Sequence, residues 1–266
     1  MYAIFFHAHQ KIDRIAHKHL ERLTGERDGF PTIKSVLHFE GRNGPDATKL
    51  KNKPGVVQPW HFMNPFDNND TELGEAIQHH YDELVTALTE INKERAAFEA
   101  AWLAHALVDG LTPAHHYPYE AALEELRGED RYSRTTLKSR ALVKGTTKTD
   151  SIKRSLQIIG PKGLLTTHTA FEAGAYMIMM PLKLTSAFPT SDDLKAVREL
   201  GIGVYFQHVA REIGARGMFE RYLESGWTPK LARIVRKEMA PKMVNIVTLA
   251  WYSALIDAGI VRHEES

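Results

Sequence analysis

The apolar residues of this 266-residue chain recur at helical spacing almost from end to end, and no run alternates as a strand does. That pattern points to an all-α fold. Ile12, Ile15, Ala16, Leu20 and Leu23 form one stripe behind His9. Asp70 or Thr71 can cap a helix that passes Leu84 and Leu88 toward Ile91. A second long helix reaches Asp109, with Ala-rich packing around Phe98 and Trp102, and Tyr119–Leu126 makes a shorter one. Regular helix resumes over Leu164–Met180. Ser191 can cap a further segment running to about Gly214. Thr228 and Pro229 suit the N-cap and first position of the last helix, which Pro241 is expected to kink or break.

Two sections depart from helical spacing. Glu40 to Asp70 is rich in Gly, Pro, Asn and Lys and reads as loop. Arg127 to Lys162 carries ten Lys or Arg against three acids, an excess of seven, and reads as a basic insertion or flap, partly helical at best. Its plain reading is a solvated loop; it could also steer a phosphorylated substrate, a lipid surface or a single-stranded nucleic acid. No internal repeat divides the chain, so residues 1–266 are read as one domain.

Histidine is the informative count: 14, with no cysteine at all. Disulfides and thiolate metal sites are thereby excluded, and any metal must be held by imidazole and carboxylate. A net charge of +1 commits the chain to neither nucleic acid nor membrane. No apolar run reaches membrane-spanning length; the longest, Ala173–Leu182 and Met243–Ile256, read as buried helices. The first residues do not form a secretory signal. The expected location is cytoplasmic if Met1 is the native start, and secreted if a signal peptide has been removed.

His105 and Asp109 lie four apart, so their side chains leave one helix face a turn apart. Phe98, Ala101, Trp102 and Val108 share that face, which makes it core-facing. An ionised aspartate is costly there unless compensated. Taken alone, the pair reads as a buried Asp matched with an Arg or with His105. Pro113 then ends the helix and His115 follows. The pattern repeats at His168 and Glu172, again four apart within an apolar stripe. A cation would remove the cost of burying both carboxylates.

His-x3-Asp-x3-Pro-x-His followed by His-x3-Glu resembles the bacterial zinc-dependent phospholipases C, relatives of the fungal single-strand zinc nucleases. The resemblance runs in order along most of the chain: His9, Asp46 after Gly44-Pro45, His61 before Phe62, His105, Asp109, His115, His168 and Glu172. It implies a multi-helix domain of the phospholipase C/zinc nuclease type holding two to three zinc ions. Asp46, His61, His105 and Asp109 would hold one ion, and His115, His168 and Glu172 the second. Asp109 would bridge to a third with His9.

Family members begin with a Trp that binds the third zinc, whereas this chain begins Met1-Tyr2. His7 or the Met1 amine could take that place, or the third site could be absent. His116 adjoins His115 and offers the same donor, although the family register favours His115.

The implied function is phosphodiester hydrolysis by a zinc-activated hydroxide, with Asp46 the catalytic residue that orients or deprotonates the water. Glu172 leans the substrate toward a phospholipid, since the nucleases tend to carry Asp there. The alternatives are a single-strand nuclease or nucleotidase and a non-catalytic helical zinc-binding protein. Trp60, Phe62, Phe66, Tyr117 and Tyr119 are candidate pocket aromatics, of which Trp60 and Tyr117 could stack a base or cage a choline group.

Overall fold

Helices supply the regular structure among the described residues, as the periodicity requires. The computed structural model describes residues 5–25, 29–41, 43–46, 61–127, 143 and 145–261. α1 (Phe5–Thr24) turns Ile12, Ala16 and Leu20 into the core. α2 (Ile33–Glu40) begins at Thr32, whose hydroxyl accepts the Ser35 N–H, and it buries Val36 and Glu40.

α3 (Glu72–Thr89) and α4 (Lys93–Gly110) form a helical hairpin. Its turn holds Ile91 at a φ of 57°, and the Asn92 side chain caps α4 by accepting the Arg95 N–H. A short 3-10 turn (Pro113–His116) follows α4. Then come α5 (Tyr119–Arg127), α6 (Lys148–Ile159), α7 (Leu164–Met179), α8 (Ser191–Leu200) and α9 (Ile202–Gly214). α10 (Met218–Ser225), α11 (Pro229–Ile234) and α12 (Ala240–Asp257) complete the order.

α12 is apolar on nearly all faces, and such a helix must be enclosed by others. It packs against α1, α3, α4, α8 and α9. Trp251 is fully buried, and its indole N–H donates to the Ala100 carbonyl at 3.0 Å, fixing α12 against α4. A buried indole is worth about 3–5 kcal/mol over alanine. At the other end of α4, a Cβ on Gly110 would come within 2.3 Å of the Phe206 ring. Only glycine lets α9 approach the turn that follows Asp109.

Two expectations are corrected. The segment from Ser191 to Gly214 is two helices, because Gly201 sits at a φ of +76° and interrupts the ladder. Its cap is Thr190 rather than Ser191, in a reciprocal capping box with Asp193. The interruption expected at Pro241 is present: the regular α-helix is broken there, and α11 passes into α12 through a π turn over Val235–Met239. The wider turn absorbs the missing N–H and the ring's clash with the preceding carbonyl.

α2 is an element that the helical periodicity did not mark; it ends at Glu40, where the section read as loop begins. In the basic section, α6 is regular helix, while residues 128–142 and 144 lie outside the described residues. Among the described residues no helix is long and apolar enough to cross a membrane.

Candidate metal centre

α4 is the platform of the site. Its last turns carry His105 and Asp109 on one buried face. The chain then turns at Thr112, whose N–H bonds to the Asp109 carbonyl at 2.9 Å, and Pro113 opens the 3-10 turn that delivers His115. The His61 loop is fastened to this turn twice. His115 Nδ1–H donates to the His61 carbonyl at 2.8 Å, and the Met63 N–H bonds to the His115 carbonyl at 3.1 Å. Asp46 arrives from the end of α2. There Gly44 packs so close to the Glu40 carbonyl that a Cβ would lie 2.4 Å away.

These elements converge on the Asp109 carboxylate. His61 Nδ1 contacts Oδ2, and His105 Nε2 stands 3.2 Å from the same oxygen. His9 Nε2 approaches Oδ1 at 3.4 Å, and His115 Nδ1 lies 3.7 Å from it. His9 and His105 stack with ring centres 4.1 Å apart. Beyond His115, Glu172 Oε1 is 2.8 Å from His115 Nε2 and 3.2 Å from His168 Nε2. His105 Nε2 is also 3.8 Å from Asp46 Oδ1.

Among the described residues, three groups of side chains could hold a metal ion: His9, Asp46 and His105; His61, His105 and Asp109; and His115, His168 and Glu172. The last group coincides with the second ion implied by the resemblance. The first two differ from it. His9 joins Asp46 and His105, which splits the implied set of Asp46, His61, His105 and Asp109 into two overlapping groups. Every expected ligand is thus brought into the cluster. Met1, Trp60 and the side chains of His7 and Tyr119 lie outside the described residues.

The charges are strongly coupled. Burial opposes ionisation of Asp109, yet His105, His115 and His61 outweigh it and hold its carboxyl well below the usual carboxylate range. Burial likewise works against Glu172, but His168 and His115 hold it far down. His105 feels the reverse: burial alone would lower it, and the charges of Asp109, Glu40 and Asp46 raise it well above the ordinary imidazole value.

His116 takes no part. Burial pushes it down to about 4, and its Nε2–H donates to the Gly110 carbonyl at 2.8 Å. His115 is therefore the donor of that pair facing the cluster. Of the candidate aromatics, Phe62 packs on His115 and His168, Tyr117 lies against Phe219, and Phe66 is largely exposed.

Two acids escaped the sequence reading. Glu40 is buried, and its Oε1 accepts from His105 Nδ1–H at 2.9 Å and lies 3.8 Å from His9 Nδ1. It fixes the His105 tautomer with Nε2 turned toward Asp109 and Asp46. Asp13 is fully buried, with neither carboxyl oxygen hydrogen-bonded. Burial, and then the Glu40 charge, push it well above the usual carboxylate range. Both left signals in the sequence. Thr32 and Gly41 bracket α2, and His9-x3-Asp13 has the same spacing as His105-x3-Asp109.

Compared with family models, curated proteins and solved structures, the chain matches none of them.

Proposed function

We propose that this chain is a zinc-dependent phosphodiester hydrolase with a phospholipase C-like centre, on a domain of the type shared by phospholipases C and zinc nucleases. The observation that carries the reading is Asp109, one buried carboxylate faced by the imidazoles of His9, His61, His105 and His115. A structural ion pair needs one partner. Four convergent imidazoles, with Glu172, Asp46 and His168 beside them, form a donor set of nitrogen and oxygen that suits zinc.

The residues fit such a load. His105 is oriented through Glu40, as metal-ligating imidazoles commonly are. His115 is held through the His61 carbonyl, which leaves its Nε2 toward Glu172 and His168. Bound zinc would make hydroxide available near neutral pH and offset charge on phosphoryl oxygens. Asp46 is the least enclosed of the acids, with its side chain 28% exposed, and so can both ligate and orient or deprotonate an attacking water. Glu172 carries the preference for a phospholipid ester.

Elemental analysis of protein purified without added metal is expected to find at least two zinc per chain. A chromogenic phosphocholine ester should be cleaved, with activity lost to a chelator and restored by zinc. No zinc, together with no activity gained on adding it, would overturn the reading. Cleavage of single-stranded DNA or RNA instead would move the chain to the nuclease branch. Bound zinc with neither activity would make the cluster structural.

A further inference from the structure

α6 has two unlike faces. Ile158 is buried with Val143 against Phe62, Leu126 and Leu164. Arg154 ties the helix to α5 through the Leu126 carbonyl at 3.1 Å and pairs with Asp150. Ile152, Leu156 and Ile159 recur at i, i+4 and i+7 and stand 62%, 55% and 45% exposed. Three aliphatic side chains on one exposed helical stripe are not explained by packing within the described chain. Lys148, Lys153 and Lys162 are exposed along and just beyond the same helix. From Arg131 to Phe171 the sole acid is Asp150, which Arg154 engages.

The stripe adjoins the metal centre. Phe62, beneath α6, packs on the rings of His115 and His168. Leu165, 39% exposed, lies on α7 three residues before His168 and seven before Glu172, hence on their face of that helix.

We propose that α6, with Leu165, is an interfacial anchor that seats this protein on an anionic phospholipid bilayer. This rests on the hydrolase reading above for its purpose, though not for its geometry. The aliphatic stripe would enter the acyl boundary while the lysines meet the headgroups, as in an amphipathic helix lying in the interface plane. A second copy of the chain fits poorly, because two faces this rich in lysine and poor in acid repel one another. Anchoring here would bring the His168 and Glu172 rim to the bilayer, where an ester would be drawn in headgroup first.

The test uses the full zinc-loaded chain and sedimentation with vesicles of phosphatidylcholine, with and without phosphatidylglycerol. Binding should be strong only with phosphatidylglycerol and should weaken in salt. The triple variant Ile152→Ser, Leu156→Ser, Ile159→Ser should bind about tenfold more weakly or worse. Its circular dichroism and its rate on a water-soluble phosphodiester should be unchanged. Lys148→Glu with Lys153→Glu, which keeps the apolar stripe, should remove the preference for phosphatidylglycerol.

Wild-type chain that ignores both vesicles, or a triple variant that binds as well as wild type, overturns the proposal. So does loss of self-association or of single-stranded DNA binding in the triple variant, with vesicle binding intact. If the chain cleaves no phosphodiester, the hydrolase reading falls while the vesicle measurement still decides the anchor.

Discussion

The two His-x3-carboxylate pairs have the same spacing and lie at different depths. On α4, the side chains of His105 and Asp109 are 3% and 5% exposed, enclosed by α1, α2 and the His61 loop. On α7, those of His168 and Glu172 are 12% and 20% exposed. The deep pair is therefore bound into the fold as well as into the cluster, whereas the shallow pair forms its rim. Identical local spacing thus yields a keystone in one place and an opening in the other, and the difference comes from what packs over the helix.

The largest effect should come from Asp109→Asn. It removes charge that offsets His105, His61 and His115, and should lower metal affinity and activity by more than about a hundredfold, beyond the range for outer partners. The melting temperature should fall too, because breaking a buried ionic partnership is costly. Glu172→Gln sharpens the contrast. It should empty only the ion held with His115 and His168, with activity strongly reduced but melting close to wild type. Equal melting losses in the two variants, measured by calorimetry, would erase the distinction between deep and rim pairs.

Glu40→Gln tests whether the deep pair depends on its backing. Metal affinity, titrated with a chelator competitor, should fall about 10–100-fold while the stoichiometry is kept.

The pH dependence follows from the directions of the shifts. His105 is raised, so its contribution to metal-free stability is complete below about pH 6.5 and is lost as pH climbs through its raised value. Asp109 and Glu172 are lowered, so theirs is complete above about pH 4–4.5 and is lost as pH falls toward their lowered values. Metal must displace the His105 proton. Uptake should release protons, seen calorimetrically in buffers of different ionisation enthalpy, and apparent affinity should rise with pH. The smallest effect on the metal is expected from His116→Leu. It should cost about 1–3 kcal/mol through the unsatisfied Gly110 carbonyl and leave metal content unchanged.

Sequence spacing was enough to find both carboxylate pairs, because i and i+4 share a face whatever the tertiary context. It also marked the longer helices, including the Thr228–Pro229 start of α11, but not the short α2 and α10. What it could not give was depth, since depth is set by elements far away in sequence. Glu40 reaches His105 across 65 residues, from the last residue of α2, a helix too short for apolar spacing to mark. Asp13 was overlooked although its spacing from His9 repeats the central motif. Pro241 marks where the last helix is interrupted, while the π turn that carries the chain across is an accommodation that local rules do not announce.

The central claim is that Asp109 lies at the middle of a metal cluster. Anomalous scattering at the zinc edge, on crystals of protein purified without chelator, tests it most directly. The account predicts at least two peaks, one within about 2.0–2.2 Å of an Asp109 carboxylate oxygen and the other among His115, His168 and Glu172. An anomalous map empty at both places, with His61 and His105 still lodged directly against Asp109, would contradict it.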